Sequence, residues 1–265
     1  MTEPYRFERL QLSRTATGIV EVKLNRPDKF NALDAATFDE LCQVVAQLHD
    51  DKQLRAVILC GAGPSFCAGL DVSLFANPSA IADLLTRSHG DCNRYQQAAV
   101  GWRTLPVPVI AAIQGHCLGG GLQIALGADL RLVQADAKLS IMEIEWGLIP
   151  DMGLTQLAPP LVRTDQLRDL VFSGRMISGS EAVSLGLATR LAPEPIAAAR
   201  AYAEQLLHKS PDALRAGKAL LNQGALAAGL LAESEAMAAL LRSTNHREAV
   251  AAKMAKRPPV FADPQ

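Results

Sequence analysis

Residues 116–130 read HCLGGGLQIALGADL and place three consecutive glycines at the start of a helical pattern. The apolar residues of 122–126 favour a helix, although a glycine inside a helix costs roughly 1 kcal/mol relative to alanine. The preceding stretch PVIAAIQG, residues 108–115, is a nearly continuous apolar run, as in a strand buried on both faces. The sequence therefore predicts a buried strand followed by a helix that begins with glycines. Gln123 is the polar side chain in the first turn of this helix.

Strand and helix patterns alternate on both sides of this stretch. They predict a hairpin at 7–25, a helix capped by Asp34, buried strands at 55–61 and 129–135, and a helical region near 79–104 interrupted by Gly90. Further helices are predicted near 152–161, from Thr164 or Asp165 as cap, from Ser178 or Ser180 as cap, and from about 195 to 256. This order indicates an α/β core, residues 1–195, and a helical C-terminal region, residues 196–265.

The composition excludes several classes of partner. The 265 residues include 26 basic and 27 acidic ones, so no basic field attracts nucleic acid or an anionic membrane. No stretch reaches the ~18 uninterrupted apolar residues of a membrane span, and the charged N-terminus does not resemble a secretory signal. Five cysteines without a C-x-x-C pair indicate free thiols in a reducing compartment. We therefore expect a cytoplasmic protein without a membrane partner.

Familiar motifs for phosphate, zinc or serine-nucleophile chemistry are absent. The chain has no G-x-x-x-x-G-K-[ST], H-E-x-x-H or G-x-S-x-G pattern, and no metal is predicted. His49, His208 and His246 lie on charged helical stretches and are expected at the solvated surface. Backbone chemistry is indicated instead at SFCAGLD, residues 65–71, and at the glycine run. Each follows a buried strand, and two amides aimed at one oxygen would form an oxyanion hole.

Several stretches together resemble the enoyl-CoA hydratase/isomerase family, the crotonases. They are SFCAGLD, the glycine run, NRPDKFNALD at 25–34, GADLRLVQADAKLSIMEIEWGLIPDMGLTQLAP at 127–159 and SGRMISGSEAVSLGLATRL at 173–191. The resemblance implies a crotonase-like spiral of ββα units whose helical C-terminal region serves oligomerisation, in a homotrimer or a hexamer made of two trimers. It also implies an acyl-CoA thioester as substrate. Coenzyme A is then part of the substrate, and no separate cofactor is expected.

The resemblance also assigns the groups that hold the substrate. The amides of Ala68 and Gly120 match the two donors that stabilise the thioester oxygen as it becomes an enolate. Two segments, 29–33 and 66–70, match the family's binding positions for coenzyme A. From them we take Lys29, Ala32, Leu33, Phe66, Ala68, Gly69 and Leu70 as candidate binding residues. Lys253 and Lys256 could meet phosphates, but a solvated face is the favoured interpretation.

Proton transfer is assigned to the segment after the glycine run. Gln123 and Glu143 match the family's two carboxylate positions, and Gln123 departs from the pattern because an amide exchanges no proton at neutral pH. Glu143 is favoured over Glu145 as the acid or base. Asp151 matches the position of a carboxylate in dienoyl-CoA isomerases and of the aryl-CoA dehalogenase nucleophile. A helix-capping role for Asp151 is equally consistent with its position.

These assignments favour a double-bond isomerase, acting on an enoyl- or dienoyl-CoA. Three alternatives stay open: a hydratase in which Gln123 only orients water, a non-catalytic acyl-CoA-binding protein, and, more remotely, a dehalogenase. The dehalogenase would use Asp151 as nucleophile and His89 as activating base.

Overall fold

The computed structural model describes residues 7–76, 83–209, 211–222, 227–257 and 259. Its strands are β1 (Leu10–Arg14), β2 (Ile19–Leu24), β3 (Ala56–Gly61), β4 (Val109–Ile113), β5 (His116–Leu118), β6 (Leu130–Val133), β7 (Lys138–Ser140), β8 (Ile177–Ser178) and β9 (Arg190–Leu191). Its α-helices are α1 (Ala35–Asp50), α2 (Arg94–Thr104), α3 (Gly120–Leu126), α4 (Leu154–Leu157), α5 (Thr164–Ser173), α6 (Gly179–Leu185), α7 (Pro195–Leu206), α8 (Pro211–Leu221), α9 (Ala227–Leu241) and α10 (Thr244–Met254).

The strands form two separate sheets. The larger sheet has the order β1-β2-β3-β4-β6-β9, with β1 antiparallel to β2 and every other pair parallel. The smaller sheet has the order β5-β7-β8. All residues of β3 and β4 are buried, which confirms the prediction of strands covered on both faces.

Successive strands after β3 alternate between the two sheets as far as β7. After β4 it enters the smaller sheet as β5 and continues into α3; after β6 it enters the smaller sheet as β7 and continues into a 3-10 helix, Glu143–Trp146. This strand–strand–helix repetition confirms the predicted α/β class and ββα arrangement. It also places the starts of α3 and of the 3-10 helix beside each other, because β5 and β7 are parallel neighbours.

The first helix begins where the sequence predicts. The carboxylate of Asp34 accepts hydrogen bonds from the amide nitrogen and the hydroxyl of Thr37, at 2.9 and 2.7 Å. An N-cap of this kind satisfies an amide that has no partner inside the helix. Phe38 on the buried face of α1 packs edge-on against Tyr95 of α2, with ring centroids 4.9 Å apart.

Three helix predictions are corrected. The helical region expected near 79–104 is helical only in α2; residues 83–93 are turns, and 77–82 lie outside the described residues. Asn93 and Gln96 form a reciprocal capping box that begins α2. The helix expected near 152–161 is the single turn α4, which two prolines, Pro159 and Pro160, follow. Helix α5 is preceded by Arg163, without a side-chain cap from Thr164 or Asp165, whereas Ser178 caps α6 as predicted.

The helices after residue 195 pack closely on the core. Ala199 and Ala203 of α7 are buried against the larger sheet. In α8, the ammonium of Lys218 is bonded to the carboxylate of Asp129 at 2.7 Å and to two backbone carbonyls. All five cysteines are buried and free, and no helix among the described residues is long and apolar enough to cross a membrane.

Candidate active site

A short pairing between Cys67 and Cys117 joins the two segments in which backbone chemistry is predicted. The amide of Cys67 donates to the carbonyl of His116, and the amide of Leu118 donates to the carbonyl of Cys67, both at 2.9 Å. This parallel bridge fixes the register of the two segments. Ala68 follows on one of them and the glycine run on the other, so both reach the same cavity.

Each glycine of the run is required for a different reason. Gly119 has φ +49°, a conformation that side chains with a Cβ rarely adopt. A Cβ on Gly120 would lie 3.0 Å from the sulfur of Met152 and 3.1 Å from a methyl of Leu33, inside the cavity. A Cβ on Gly121 would lie only 2.6 Å from the Cβ of Cys67. Packing therefore explains Gly121, and access to the backbone explains Gly120.

The two predicted oxyanion amides differ in their surroundings. Gly120 is the first residue of α3, and an amide at this position has no acceptor within its own helix. The amide of Ala68 donates a 2.9 Å hydrogen bond to the carbonyl of Phe30. Phe30 and Asn31 have φ values of +48° and +59°, and this unusual pair of left-handed residues aims that carbonyl at Ala68. A substrate oxygen would have to replace the Phe30 carbonyl to use the Ala68 amide.

Glu143 supplies the carboxylate of the site. It begins the 3-10 helix, which ends at Gly147 with φ +67°. One carboxylate oxygen, Oε1, accepts a 2.7 Å hydrogen bond from Nε2 of Gln123. The other, Oε2, is buried and has no hydrogen-bond partner among the residues that the structure describes. Burial raises the pKa of Glu143 from 4.5 to about 7, against the opposing effect of its hydrogen bonds. Such a group exchanges protons near neutral pH.

Gln123 is engaged on both ends of its side-chain amide. Its Nε2 donates to Glu143, and its Oε1 accepts from the amides of Met152 and Leu154 at 2.9 and 3.3 Å. The side chain thereby ties the carboxylate to the segment that carries Asp151. Gln123 also lines the cavity, where it contacts Glu143 directly.

The cavity itself is largely apolar and has a volume of about 270 Å³. Glu143 and Asp151 both line it, together with Ala68, Gly120 and Gln123. The remaining lining residues are mostly apolar or aromatic: Leu33, Phe38, Gly69, Leu70, Val72, Leu84, Tyr95, Leu118, Gly119, Met142, Trp146, Leu148, Met152, Met237 and Leu241. The arrangement provides hydrogen-bond donors and proton-accepting groups within a pocket whose wall is mostly apolar.

Several predicted residues lie outside this cavity. Lys29 is exposed at the end of a short 3-10 helix, and Ala32 does not line the cavity although its neighbour Leu33 does. The ring of Phe66 is buried in the core, so only its backbone belongs to the segment beside the site. Glu145 faces outward and pairs with Lys253 at 3.3 Å. His89 is bonded to Ser88 and is absent from the cavity wall.

The last described helix packs against the 3-10 helix that carries Glu143, a contact that the sequence did not predict. His246 of α10 is 5% exposed, and its Nδ1 donates a 2.7 Å hydrogen bond to the carbonyl of Trp146. The prediction of a solvated His246 is therefore wrong, because α10 packs this face against the 3-10 helix. The ammonium of Lys253 lies 4.7 Å from the centre of the Trp146 ring, a cation–π contact. No local sequence pattern marks a contact between residues 100 positions apart.

Among the described residues, no group of three or more histidine, cysteine, aspartate or glutamate side chains is arranged to hold a metal ion.

Comparisons with known proteins agree with the resemblance found in the sequence. Residues 14–264 match the profile of the family described as enoyl-CoA hydratase/isomerase. Human enoyl-CoA hydratase domain-containing protein 2, mitochondrial, is 33% identical over 92% of this chain and 85% of its own length. Rat Delta(3,5)-Delta(2,4)-dienoyl-CoA isomerase, mitochondrial, is 31% identical over 81% of this chain and 68% of its own length. The crystal structure of an enoyl-CoA hydratase/isomerase from Pseudoalteromonas atlantica T6c superposes with a TM-score of 0.85 at 28% identity, covering 96% of this chain and all of that one.

Proposed function

The chain belongs to the enoyl-CoA hydratase/isomerase family, and on that premise we propose that it moves a carbon–carbon double bond in an acyl-CoA thioester. Glu143 is the group that carries the proton. The observation that supports this most directly is the carboxylate itself: one oxygen is held by Gln123, and the other is buried in the wall of the cavity without a partner in the described part of the chain. A single carboxylate with a pKa of about 7 can both take and return a proton.

The reaction on a 3-enoyl thioester needs one such group. Glu143 removes a proton from carbon 2, and the electron pair spreads through the double bond and the thioester carbonyl to give a dienolate. The protonated Glu143 then returns the proton at carbon 4, which leaves the double bond between carbons 2 and 3 and restores the carboxylate. No water is consumed.

The developing negative charge on the thioester oxygen is stabilised by backbone amides. Gly120 offers its amide at the start of α3, where the aligned peptide dipoles also favour negative charge. Ala68 exchanges the carbonyl of Phe30 for the substrate oxygen, so one hydrogen bond is replaced by a stronger, charge-assisted one. Loss of one donor of this kind typically costs about 3–4 kcal/mol of transition-state stabilisation.

The direct contact between Gln123 and Glu143 favours isomerisation over hydration. A hydratase must hold and deprotonate a water molecule next to its carboxylate. Here the side-chain nitrogen of Gln123 lies 2.7 Å from Glu143, and its oxygen is committed to backbone amides, so the pair positions the base without binding water between them. We assign Gln123 the role of a positioning residue.

Asp151 extends the proposal to dienes. It lines the same cavity as Glu143 and precedes α4, whose N-cap position is occupied by Gly153. On a 3,5-dienoyl thioester, Glu143 would remove the proton at carbon 2, and Asp151 would take up a proton from solvent and supply it at carbon 6. Glu143 then releases its proton to solvent, which restores both groups. The 2,4-diene results. The relationship to a dienoyl-CoA isomerase supports this version.

A substrate panel tests the reaction type. Purified protein is incubated with 3-hexenoyl-CoA, 3,5-octadienoyl-CoA and crotonyl-CoA, and products are identified by mass and by absorbance of the conjugated thioester. We expect conversion of the first or second substrate without a mass change, strongly reduced in Glu143→Gln and retained in Glu145→Gln. Robust hydration of crotonyl-CoA that persists in Glu143→Gln would overturn the proposal. Tight thioester binding without any turnover, unchanged in Glu143→Ala, would indicate the non-catalytic alternative.

The hydratase alternative makes its own prediction. If Gln123 merely orients water while Glu143 performs all proton transfer, Gln123→Glu should raise hydratase activity toward crotonyl-CoA. We expect instead that Gln123→Glu lowers isomerase activity, because a second carboxylate would replace the hydrogen bond that holds Glu143. A Gln123→Asn variant, which keeps the amide but shortens its reach, is the matched control for loss of positioning.

The assembly and the location of the protein remain predictions. We propose a homotrimer or a hexamer of two trimers, with the helical C-terminal region in the interface; sedimentation equilibrium of the purified protein tests it. We also propose a cytoplasmic location. The human and rat relatives are named as mitochondrial, which is the alternative. Cell fractionation with an antibody to the chain decides between these locations.

A further inference from the structure

The ionisable side chains that line the cavity, among the described residues, are all acidic. Two carboxylates, Glu143 and Asp151, line its wall, and no lysine, arginine or histidine is among the described residues that line it. An anionic group that entered the cavity would therefore meet apolar surface and like charge, with no cation to compensate for lost hydration.

Two basic side chains that contact residues of the wall are already paired. Arg94 donates hydrogen bonds to the carboxylate of Asp39 and to the hydroxyl of Tyr95, both at 2.9 Å. The ring of Tyr95 lines the cavity, and Arg94 bonds its hydroxyl group. Lys253 lies over the ring of Trp146 and is bonded to Glu145. Turning either cation toward the cavity would break an existing ion pair.

The rest of the wall suits a hydrocarbon. Phe38 and Tyr95 form an edge-to-face aromatic pair, and the thioether side chains of Met142, Met152 and Met237 adapt to chains of different shape. Such a wall gains binding free energy from every methylene group that it removes from water.

We propose that the acyl group of the substrate is an uncharged hydrocarbon chain, and that the cavity rejects acyl groups ending in a carboxylate by charge rather than by size. This inference rests on the proposed function only in taking the cavity as the acyl site of a coenzyme A thioester. It does not depend on whether the enzyme isomerises or hydrates. Glu143 and Asp151 thus select against charged acyl groups in addition to their roles in proton transfer.

Binding of saturated thioesters tests the inference separately from the reaction, because these compounds offer no double bond to move or hydrate. Affinities are measured by isothermal titration for butanoyl-, hexanoyl- and octanoyl-CoA, for adipoyl-CoA, and for the methyl ester of adipoyl-CoA. We expect affinity to rise by up to about fourfold per added methylene until the cavity is filled. Adipoyl-CoA should bind at least about 100-fold more weakly than hexanoyl-CoA. Its methyl ester, which has a similar length and no charge, should recover most of the loss.

The outcomes separate charge from size. Adipoyl-CoA binding within about fivefold of hexanoyl-CoA would overturn the inference. An ester as weak as the free acid would assign the rejection to size and also overturn it. If hexanoyl-CoA binds as expected but no unsaturated thioester is converted, the proposed function fails while the selection stands.

A cation placed in the wall should weaken the preference for the uncharged chain. In Met237→Lys, an ammonium replaces a thioether that lines the cavity from α9, and we expect the gap between hexanoyl- and adipoyl-CoA to shrink by at least about tenfold. Ala239→Lys adds the same charge at an exposed position two residues along α9 and should leave the gap unchanged. A folded Met237→Lys variant with the wild-type gap would contradict the inference, and the wild-type titrations remain decisive if that variant does not fold.

Discussion

Replacing Glu143 by glutamine should remove catalysis and, at alkaline pH, make the folded protein more stable. The pKa of this carboxyl group is about 7 in the folded protein, against 4.5 for an ordinary glutamate. The folded state therefore keeps the proton over a range of pH in which the unfolded chain releases it. The stabilisation from this proton is complete below pH 4.5 and is lost as pH rises through 7. Between about pH 5 and about pH 8, the wild type should lose about 2–3 kcal/mol of unfolding free energy through this group alone.

Urea unfolding of the wild type and of Glu143→Gln at several pH values measures this effect. The glutamine can still accept the hydrogen bond from Gln123 but carries no charge. The difference in unfolding free energy between the two proteins should shift in favour of the variant by about 2–3 kcal/mol from about pH 5 to about pH 8. In the wild type, kcat/KM should rise with pH and level off above about pH 7, where Glu143 is the free base. A stability difference that does not change with pH would refute the reasoning.

Two further substitutions test the packing around the site. Gly121→Ala forces a Cβ to within 2.6 Å of the Cβ of Cys67 and should lower the unfolding free energy by roughly 1–3 kcal/mol in urea melts. Gly217→Ala, in a helix with open space at that position, is the matched control and should be neutral or slightly stabilising; equal losses in both would contradict the packing argument. His246→Leu removes the donor to the Trp146 carbonyl and should destabilise the protein by about 1–3 kcal/mol while lowering kcat more than it changes KM. His246→Asn, which keeps a donor near that position, should restore kcat; no difference between the leucine and asparagine variants would exclude the hydrogen bond as the cause.

Local patterns in the sequence were sufficient for much of the fold. The Asp34 cap, the hairpin of β1 and β2 and the fully buried β3 and β4 follow from neighbouring residues and from the period of their apolar positions. Helix limits were less predictable. The start of α2 depends on a reciprocal pair of side chains, Asn93 and Gln96, that competes with a longer helical pattern.

The site was predictable in its parts but not in its contacts. The sequence places Gln123 and Glu143 near the glycine run, yet only the packed structure brings them to 2.7 Å. The hydrogen bond from Ala68 to Phe30 depends on a left-handed phenylalanine, a conformation that residue type does not favour. Distant partners of this kind are set by tertiary packing, which no short window of sequence contains.

The bond between His246 and Trp146 also has a consequence for the newly made chain. It joins residues 100 positions apart, and the helix that carries His246 is the last one described. During synthesis, the sheets, the glycine helix and Glu143 all leave the ribosome before this helix exists. The 3-10 helix that carries Glu143 therefore gains this hydrogen bond only after α10 has been made and has packed against it. Ribosome-bound chains that lack α10 should therefore bury most of their core and still turn over no thioester.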